Sequence, residues 1–267
     1  MRNIKSTLWI LIVFLISVSM PSAQQPPNQW QAIDGDGTLR RIQVPILMYH
    51  YVSMLPPDAD AIRRGLTLHP DIFRQHIAYL AENNYNTISL YDLDNALENG
   101  ATLPPNPVIL TFDDGYSDAY TTVFPILQAN DMTATFFIIS QFADDNLAGY
   151  MTWEQINEMA TAGMSMEGHT KTHPALIERD FEFLVFQVMG SLESLAVHSG
   201  QIPRMFAYPI GRYDDNTLQF MASTPVERAV TTQVGTLHTT DNRFELDRMR
   251  ITDETGVAGL AYLLTYR

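Results

Sequence analysis

The sequence predicts an α/β domain built on a parallel β-sheet. Three observations carry that expectation. Apolar stretches of strand length alternate with amphipathic helical stretches along most of the chain, which is the pattern of repeated βαβ units. The run Pro-Val-Ile-Leu-Thr-Phe at 107–112 is apolar without alternation, as a strand covered on both faces must be. Chemically capable residues recur where a strand has just ended: Asp113 and Asp114, then His169, then Pro209. In a closed parallel barrel those ends share one face, and that face carries the active site.

The elements follow in order. Arg2 and Lys5 precede the apolar run Leu8 to Val18, and Pro21-Ser22-Ala23 follows. Residues 1–23 therefore read as a secretory signal peptide. The run is short for a bilayer span of roughly 20 residues. Pro21 is awkward for cleavage, so an uncleaved membrane anchor is the alternative. Either way the protein is expected to be secreted or extracytoplasmic. Residues 24–43 are polar and read as a linker, and one domain is expected over 44–267.

Val44 to Val52 is β-prone and apolar, a buried strand. Residues 70–83 place Ile72, Phe73, Ile77 and Leu80 on one helical face. Tyr85–Leu90 reads as a strand, and Tyr91–Asn99 as a helix stopped by Gly100. After the strand at 107–112, residues 118–129 read as helix and 134–140 as a buried strand. Residues 152–162 read as a helix, with Thr152 as N-cap and Gly163 closing it. A strand at 164–167 leads into His-Thr-Lys-Thr-His-Pro. A long amphipathic helix is expected over 178–198, a strand over 205–208 and a helix over 214–223. Short strands at 229–232 and 249–252 complete the reading.

Composition narrows the function. Hydrophobic residues at 46% and charged residues at 17% suit a globular core. The 16 basic and 30 acidic residues give a formal charge of −14. That excludes nucleic acid, which needs a basic surface, and disfavours anionic lipid. A membrane enters only through the possible N-terminal anchor. There is no cysteine, so disulfides, thiolate ligands and a thiol nucleophile are excluded. A bound metal would need nitrogen and oxygen donors.

His169 and His173 offer two such nitrogens, and the Asp113–Asp114 pair offers oxygen. Two imidazoles and one carboxylate make a three-ligand set, which leaves a position open for water as catalytic sites do. Two adjacent carboxylates at a strand end call for a nearby cation. Only one needs to ligate, and the other is free to move protons. Gly168 and Pro174 flank the histidine pair, so the local chain is a loop or a single turn. Trp153 fits the core or a cleft wall, and His50 the core or the site's rim. His69, His76 and His198 are expected on the surface. His238 lies in a polar loop that could reach the site.

These pieces resemble the polysaccharide deacetylases of the NodB-homology group, also called carbohydrate esterase family 4. The resemblance runs from about Val44 to Ile251 and rests on Thr-Phe-Asp-Asp-Gly-Tyr (111–116), His-Thr-Lys-Thr-His-Pro (169–174), Phe-Ala-Tyr-Pro-Ile-Gly (206–211) and Phe-Glu-Leu-Asp-Arg-Met-Arg-Ile (244–251). Ile46 to Val52 looks like the poly-N-acetylglucosamine deacetylase branch. The resemblance implies a distorted (β/α)7 barrel, a divalent metal (usually zinc, with cobalt and nickel also suited to these donors) and removal of acetyl groups from a sugar polymer. It makes Asp114, His169 and His173 the metal ligands and Asp113 the catalytic base. Pro209 has no N–H, so the Ile210 N–H is the expected oxyanion donor.

Three departures stand out. Ala207 occupies the place where many members carry an arginine that orients the base; Arg248 is expected to supply it, with Arg204 second. The family's later histidine has no clear counterpart, which leaves His50, His238 or solvent to protonate the leaving amine. Gly168 stands where serine is common, a change expected to be mild. The leading function is a polysaccharide N-deacetylase acting on an N-acetylglucosamine polymer. An O-acetyl esterase of xylan-like glycans and a non-catalytic carbohydrate-binding relative are the alternatives.

Overall fold

In the computed structural model, which describes residues 38–266, strands and helices alternate as the apolar pattern requires. The chain begins with β1 (Arg41–Gln43), β2 (Ile46–Tyr49) and β3 (Tyr51–Val52). Helix α1 (Ala61–Gly65) leads to β4 (Thr67–Leu68), α2 (Pro70–Glu82), β5 (Asn86–Thr87) and α3 (Leu90–Asn99). β6 (Pro107–Phe112) is followed by a π-helical turn at Ala119–Val123 that runs into α4 (Phe124–Gln128). Next come β7 (Thr135–Ile138), α5 (Ser140–Asp144), α6 (Trp153–Thr161) and β8 (Ser165–Gly168). Helix α7 (Phe181–Leu184) passes through a π-helical stretch at Val185–Met189 into α8 (Gly190–Ser199). The remainder is β9 (Met205–Ala207), α9 (Asp215–Met221), β10 (Arg228–Val230), β11 (Leu237–Thr239), β12 (Met249–Arg250) and α10 (Val257–Leu264).

Seven strands form one curled parallel sheet in the order β10-β9-β8-β7-β6-β2-β12, and β5 pairs with β6 at its start. The register sets Tyr49 beside Phe112, Phe112 beside Phe136, Ile138 beside Gly168, and Gly168 beside Phe206. The segment leaving β10 turns back to join the two edges. Leu246 bridges to Val230, and Met249–Arg250 then pairs with β2. The parallel α/β expectation and the seven-stranded barrel implied by the resemblance are both met, with the barrel as an open curl.

Side chains alternate across each strand, and the two faces bury different partners. Leu47, Tyr49, Leu110, Phe112, Phe136, Ile138 and Met166 pack outward with α2, α4, α6 and α10. Ile46, Ile109, Phe137, Met205, Ala207 and Val230 pack inward, where Leu93 and Leu97 of α3 meet them. Helix α3 thus lies across the base of the concave face. A Ser89–Asp92 capping box starts it, and Gly100, at φ 72°, ends it. With the base filled, the concave face opens only where the strands end.

Some local readings change. The expected 178–198 helix spans Phe181–Ser199 but carries a π-helical stretch. The strand expected at 85–90 shrinks to Asn86–Thr87, because Ser89 is committed to capping α3. The sequence reading lacked α1, α5, α10 and the pairing of β1 with β11. His76, expected on the surface, is buried. Its Nδ1 lies 3.2 Å from the Tyr49 hydroxyl and its Nε2 2.8 Å from the Thr255 carbonyl. Residues 1–23, read as a signal peptide, and the linker up to residue 37 lie outside the described residues. Arg41–Gln43, at the end of the segment read as linker, form β1.

Candidate active site

Strand β6 delivers the two aspartates. The Asp113 N–H still donates to the Tyr49 carbonyl (3.0 Å), so Asp113 continues the ladder. Alternation puts it inward, above Ile109 and Thr111. Asp114 and Gly115 then take left-handed backbone, φ 74° and 77°, and turn the chain sharply. The two neighbouring carboxylates therefore face different partners.

Asp113 meets Arg248. Nη1 donates to Oδ1 and Nη2 to Oδ2, each at 2.7 Å. Arg248 also donates from Nη1 to Thr111 Oγ1 (3.0 Å) and from Nε to the Thr231 carbonyl (2.8 Å), and it is wholly buried. A bidentate guanidinium fixes a carboxylate's plane as well as its charge. Burial alone would raise the Asp113 carboxyl, but Arg248, with smaller help from His50 and His169, holds it below the usual carboxylate value. His50 follows β2 and brings Nε2 to 3.9 Å from Asp113 Oδ2. Burial keeps its pKa below the ordinary imidazole value.

Asp114 meets the histidines. Its Oδ1 lies 3.2 Å from His169 Nε2 and 3.2 Å from His173 Nε2. One donor atom from each of the three residues falls within 4.8 Å of the others. His169 follows β8, and its Nδ1 lies 2.7 Å from the Ala207 carbonyl. That carbonyl can only accept a hydrogen bond, so Nδ1 carries the proton and donates it, and Nε2 is left as a lone-pair donor. The His169–His173 segment is a bend held by the His173 N–H to Thr170 Oγ1 (2.9 Å), with Thr170 at φ 65° and His173 at φ 63°.

This set suits a divalent ion. Asp114 Oδ1 is buried and has no hydrogen-bond donor, although an unsatisfied buried oxygen is costly. It is wedged between two ring nitrogens in a donor set of one oxygen and two nitrogens. Burial would lower the pKa of His169, yet Asp114 and Asp113 raise it on balance. The pocket therefore calls for positive charge where the three ligand atoms converge.

Ile210 follows β9 and Pro209, three residues past the Ala207 carbonyl that meets His169. It is a β-branched residue at φ 59°, ψ 6° with an exposed side chain. Left-handed backbone is uncommon for such a residue and marks local strain. Gly211 and Arg212 make the turn's hydrogen bonds, to Tyr208 and Pro209. The Ile210 N–H takes no part in them.

Other expectations are corrected. Arg204, the second guanidinium candidate, pairs with Glu227 (2.6 Å) and lies over Tyr91, away from Asp113. His238 does not reach the site. It sits buried in β11 with Nε2 2.9 Å from the Val44 carbonyl, ahead of β2, whereas His50 follows that strand. His198 stacks on Trp153 at 4.5 Å, so that tryptophan belongs to the α6–α8 contact. Gly168 is tightly packed, because a Cβ there would lie 2.8 Å from Leu192 and 2.9 Å from Phe206. The sequence reading also passed over Tyr51, Tyr116 and Arg250. Each follows a recognised site residue by one or two positions, and that adjacency was the available signal.

Comparison with known proteins agrees with this geometry. A family model described as polysaccharide deacetylase matches residues 100–229. The Bacillus subtilis protein named putative polysaccharide deacetylase YxkH is 29% identical over 253 residues, covering 91% of this chain and 86% of that protein. A Streptococcus pyogenes deacetylase, PplD, solved in complex with acetate, superposes with a TM-score of 0.78 at 30% identity, covering 84% of this chain and 99% of that one. The poly-β-1,6-N-acetyl-D-glucosamine N-deacetylase of Escherichia coli K12 is 33% identical over 127 residues, which are 42% of this chain and 19% of that protein.

Proposed function

Because the chain belongs to the polysaccharide deacetylase family, we propose that it hydrolyses N-acetyl groups of an N-acetylglucosamine polymer with Asp113 as general base. The observation that carries this is the division of labour between adjacent aspartates. Asp114 turns to two imidazoles, while Asp113 is held by a guanidinium and left free of them. A divalent ion at Asp114, His169 and His173, zinc in the first instance, would polarise the acetyl carbonyl and acidify a water.

The chain's own groups complete the reaction. Asp113 takes the proton of the water that attacks the acetyl carbon. Arg248 keeps that carboxylate ionised and aimed. The Ile210 N–H donates to the carbonyl oxygen as it gains negative charge. Asp113 passes that proton to His50, whose Nε2 lies 3.9 Å from Oδ2, and as the C–N bond breaks His50 gives it to the amine, Asp113 is a carboxylate again and acetate leaves. The Escherichia coli relative makes poly-β-1,6-N-acetylglucosamine the first polymer to try. The leading apolar segment supports work outside the cytoplasmic membrane.

The test is acetate release from a panel of N-acetylated and O-acetylated glycans, with metal content measured on the same sample. Release from the N-acetylated members that a chelator abolishes is expected. Asp113→Asn should retain the metal and lose about 10²–10⁴-fold in rate. Release from acetylated xylan alone would make the protein an esterase, and binding without release a non-catalytic relative.

A further inference from the structure

Between α7 and α8 the π-helical turn Val185–Met189 exposes Val185 and Phe186 and buries Gln187. That is the reverse of what solvation favours, because apolar side chains gain from burial and a buried amide needs partners. The turn is widened, with the Gly190 N–H bonded to the Val185 carbonyl five residues back. Such turns inside α-helices are frequent at functional sites.

Gln187 finds its partners in the bend between His169 and His173. Its Oε1 accepts from the Lys171 N–H and the Thr172 N–H, each at 3.1 Å. Its Nε2 donates to Thr172 Oγ1 at 2.8 Å, and its own carbonyl accepts from the Lys171 N–H at 3.0 Å. A carboxamide fits this place, since its oxygen has lone pairs for two N–H groups and its NH2 serves a hydroxyl. Turned over, the amide would set its NH2 against two donors.

The other side of the bend is held by α5 and by Lys171. The Ser140 and Gln141 N–H groups donate to the Thr170 and Lys171 carbonyls at 3.3 and 2.9 Å. The Lys171 stem runs along Gly190, where an added Cβ would lie 3.4 Å from Cγ. Its ammonium meets Asp144 Oδ2 at 2.6 Å and Ser194 Oγ at 3.0 Å.

The bend needs this restraint. Thr170 and His173 both carry left-handed backbone, and such residues persist only where their surroundings over-determine them. His169 is placed by β8 and by the Ala207 carbonyl. His173, at the far end of the bend, inherits its place from the chain between, and Gln187 holds that chain at Lys171 and Thr172.

We propose that Gln187 is a positioning residue for the metal ligands, its amide setting the bend so that His173 Nε2 faces Asp114 Oδ1. The inference rests on the deacetylase reading with its divalent ion, and it adds a residue that touches neither ion nor substrate.

The experiment measures zinc affinity of the metal-depleted protein by chelator competition, beside the unfolding midpoint of the same metal-free sample. Gln187→Met keeps the length and removes the acceptor, and we expect zinc binding about 10–100-fold weaker. Gln187→Glu still offers oxygen to both N–H groups and to the Thr172 hydroxyl, and should recover most of that loss. Leu195→Ala truncates an α8 side chain in the core cluster that holds Ile156 and Met166. It should lower the midpoint and leave zinc affinity at the parent's value. Thr172→Val removes only the hydroxyl that orients the amide, at an exposed position, so it folds and should show a smaller loss in the same direction. Parent-like affinity in Gln187→Met, or in Thr172→Val if Gln187→Met does not fold, would overturn the role. So would an equal loss in Leu195→Ala, or Gln187→Glu binding no better than Gln187→Met. Zinc binding that depends on Gln187 in a protein that releases no acetate would keep the positioning role and remove the deacetylase reading. Acetate release with zinc affinity indifferent to Gln187 would do the opposite.

Discussion

Asp113 and Asp114 are chemically identical neighbours, and only their partners distinguish them. The sequence showed that a carboxylate pair and a histidine pair belonged together, because strand ends converge in a parallel barrel. Residue types alone leave open which aspartate meets which partner, and only the family resemblance assigns Asp114 to the histidines. The pairing itself depends on Asp114 adopting φ 74°, which no pattern of residue types encodes. Arg248 was preferred over Arg204 on resemblance alone, and the inward register of the last strand explains why it reaches Asp113. We expect Arg248→Met to leave a buried carboxylate unpaired and to cost about 3–5 kcal/mol, read by denaturant unfolding. The surviving activity should also need a higher pH, because the base loses the charge that holds its pKa down. A pH–rate profile unchanged in this variant would remove Arg248 from its orienting role.

Element assignments were legible where apolar periodicity was strong, as for α2, α3 and β6. They were not legible where short segments depend on distant partners. β1 exists because β11 offers it three residues, and His76 turned out to be buried because α10 covers α2. Gly168 is the sharper lesson. Serine there looked mild, but β8 runs so close to α8 and Phe206 that a Cβ has no room. Gly168→Ser should destabilise by about 1–3 kcal/mol through overpacking, seen as a lower midpoint in denaturant. Since His169 follows directly, metal affinity should fall with it.

Taken whole, the molecule carries buried titrating groups beyond its site that link stability to pH with opposite signs. Burial drives His238 down to about 4 and lowers His76 as well. The folded protein then binds fewer protons than the unfolded chain below the ordinary imidazole value of about 6.5, so stability rises with pH there. The His238 contribution, on the order of 3 kcal/mol, is complete above 6.5 and is lost as pH falls through about 4. Glu167, pushed up to about 7 by burial, works the other way and favours folding below that value. Four donors, two of them backbone N–H groups, favour the anion, and burial still outweighs them. Asp118, raised to about 6 by burial, acts in the same sense as Glu167, so the His238 share is read as a difference. The protein should lose stability relative to His238→Gln as pH falls from 7 to 4, measured by unfolding midpoints at pH 7, 5 and 4. A divalent ion at a hundred times its Kd should add about 2.7 kcal/mol. That gain should appear as a Tm rise that a chelator reverses and that His169→Ala lacks.

The pairing of β1 with β11 also assigns the start of the described chain to one end of the barrel. Arg40 donates to the carbonyls of Leu97 and Glu98 at the tail of α3, and Gln43 reaches the Tyr266 carbonyl. The earliest described residues are thus moored to the pole of the barrel that faces away from the reacting groups. A partner or surface engaged at Arg41–Gln43 would therefore leave the mouth, at the opposite end of the strands, uncovered.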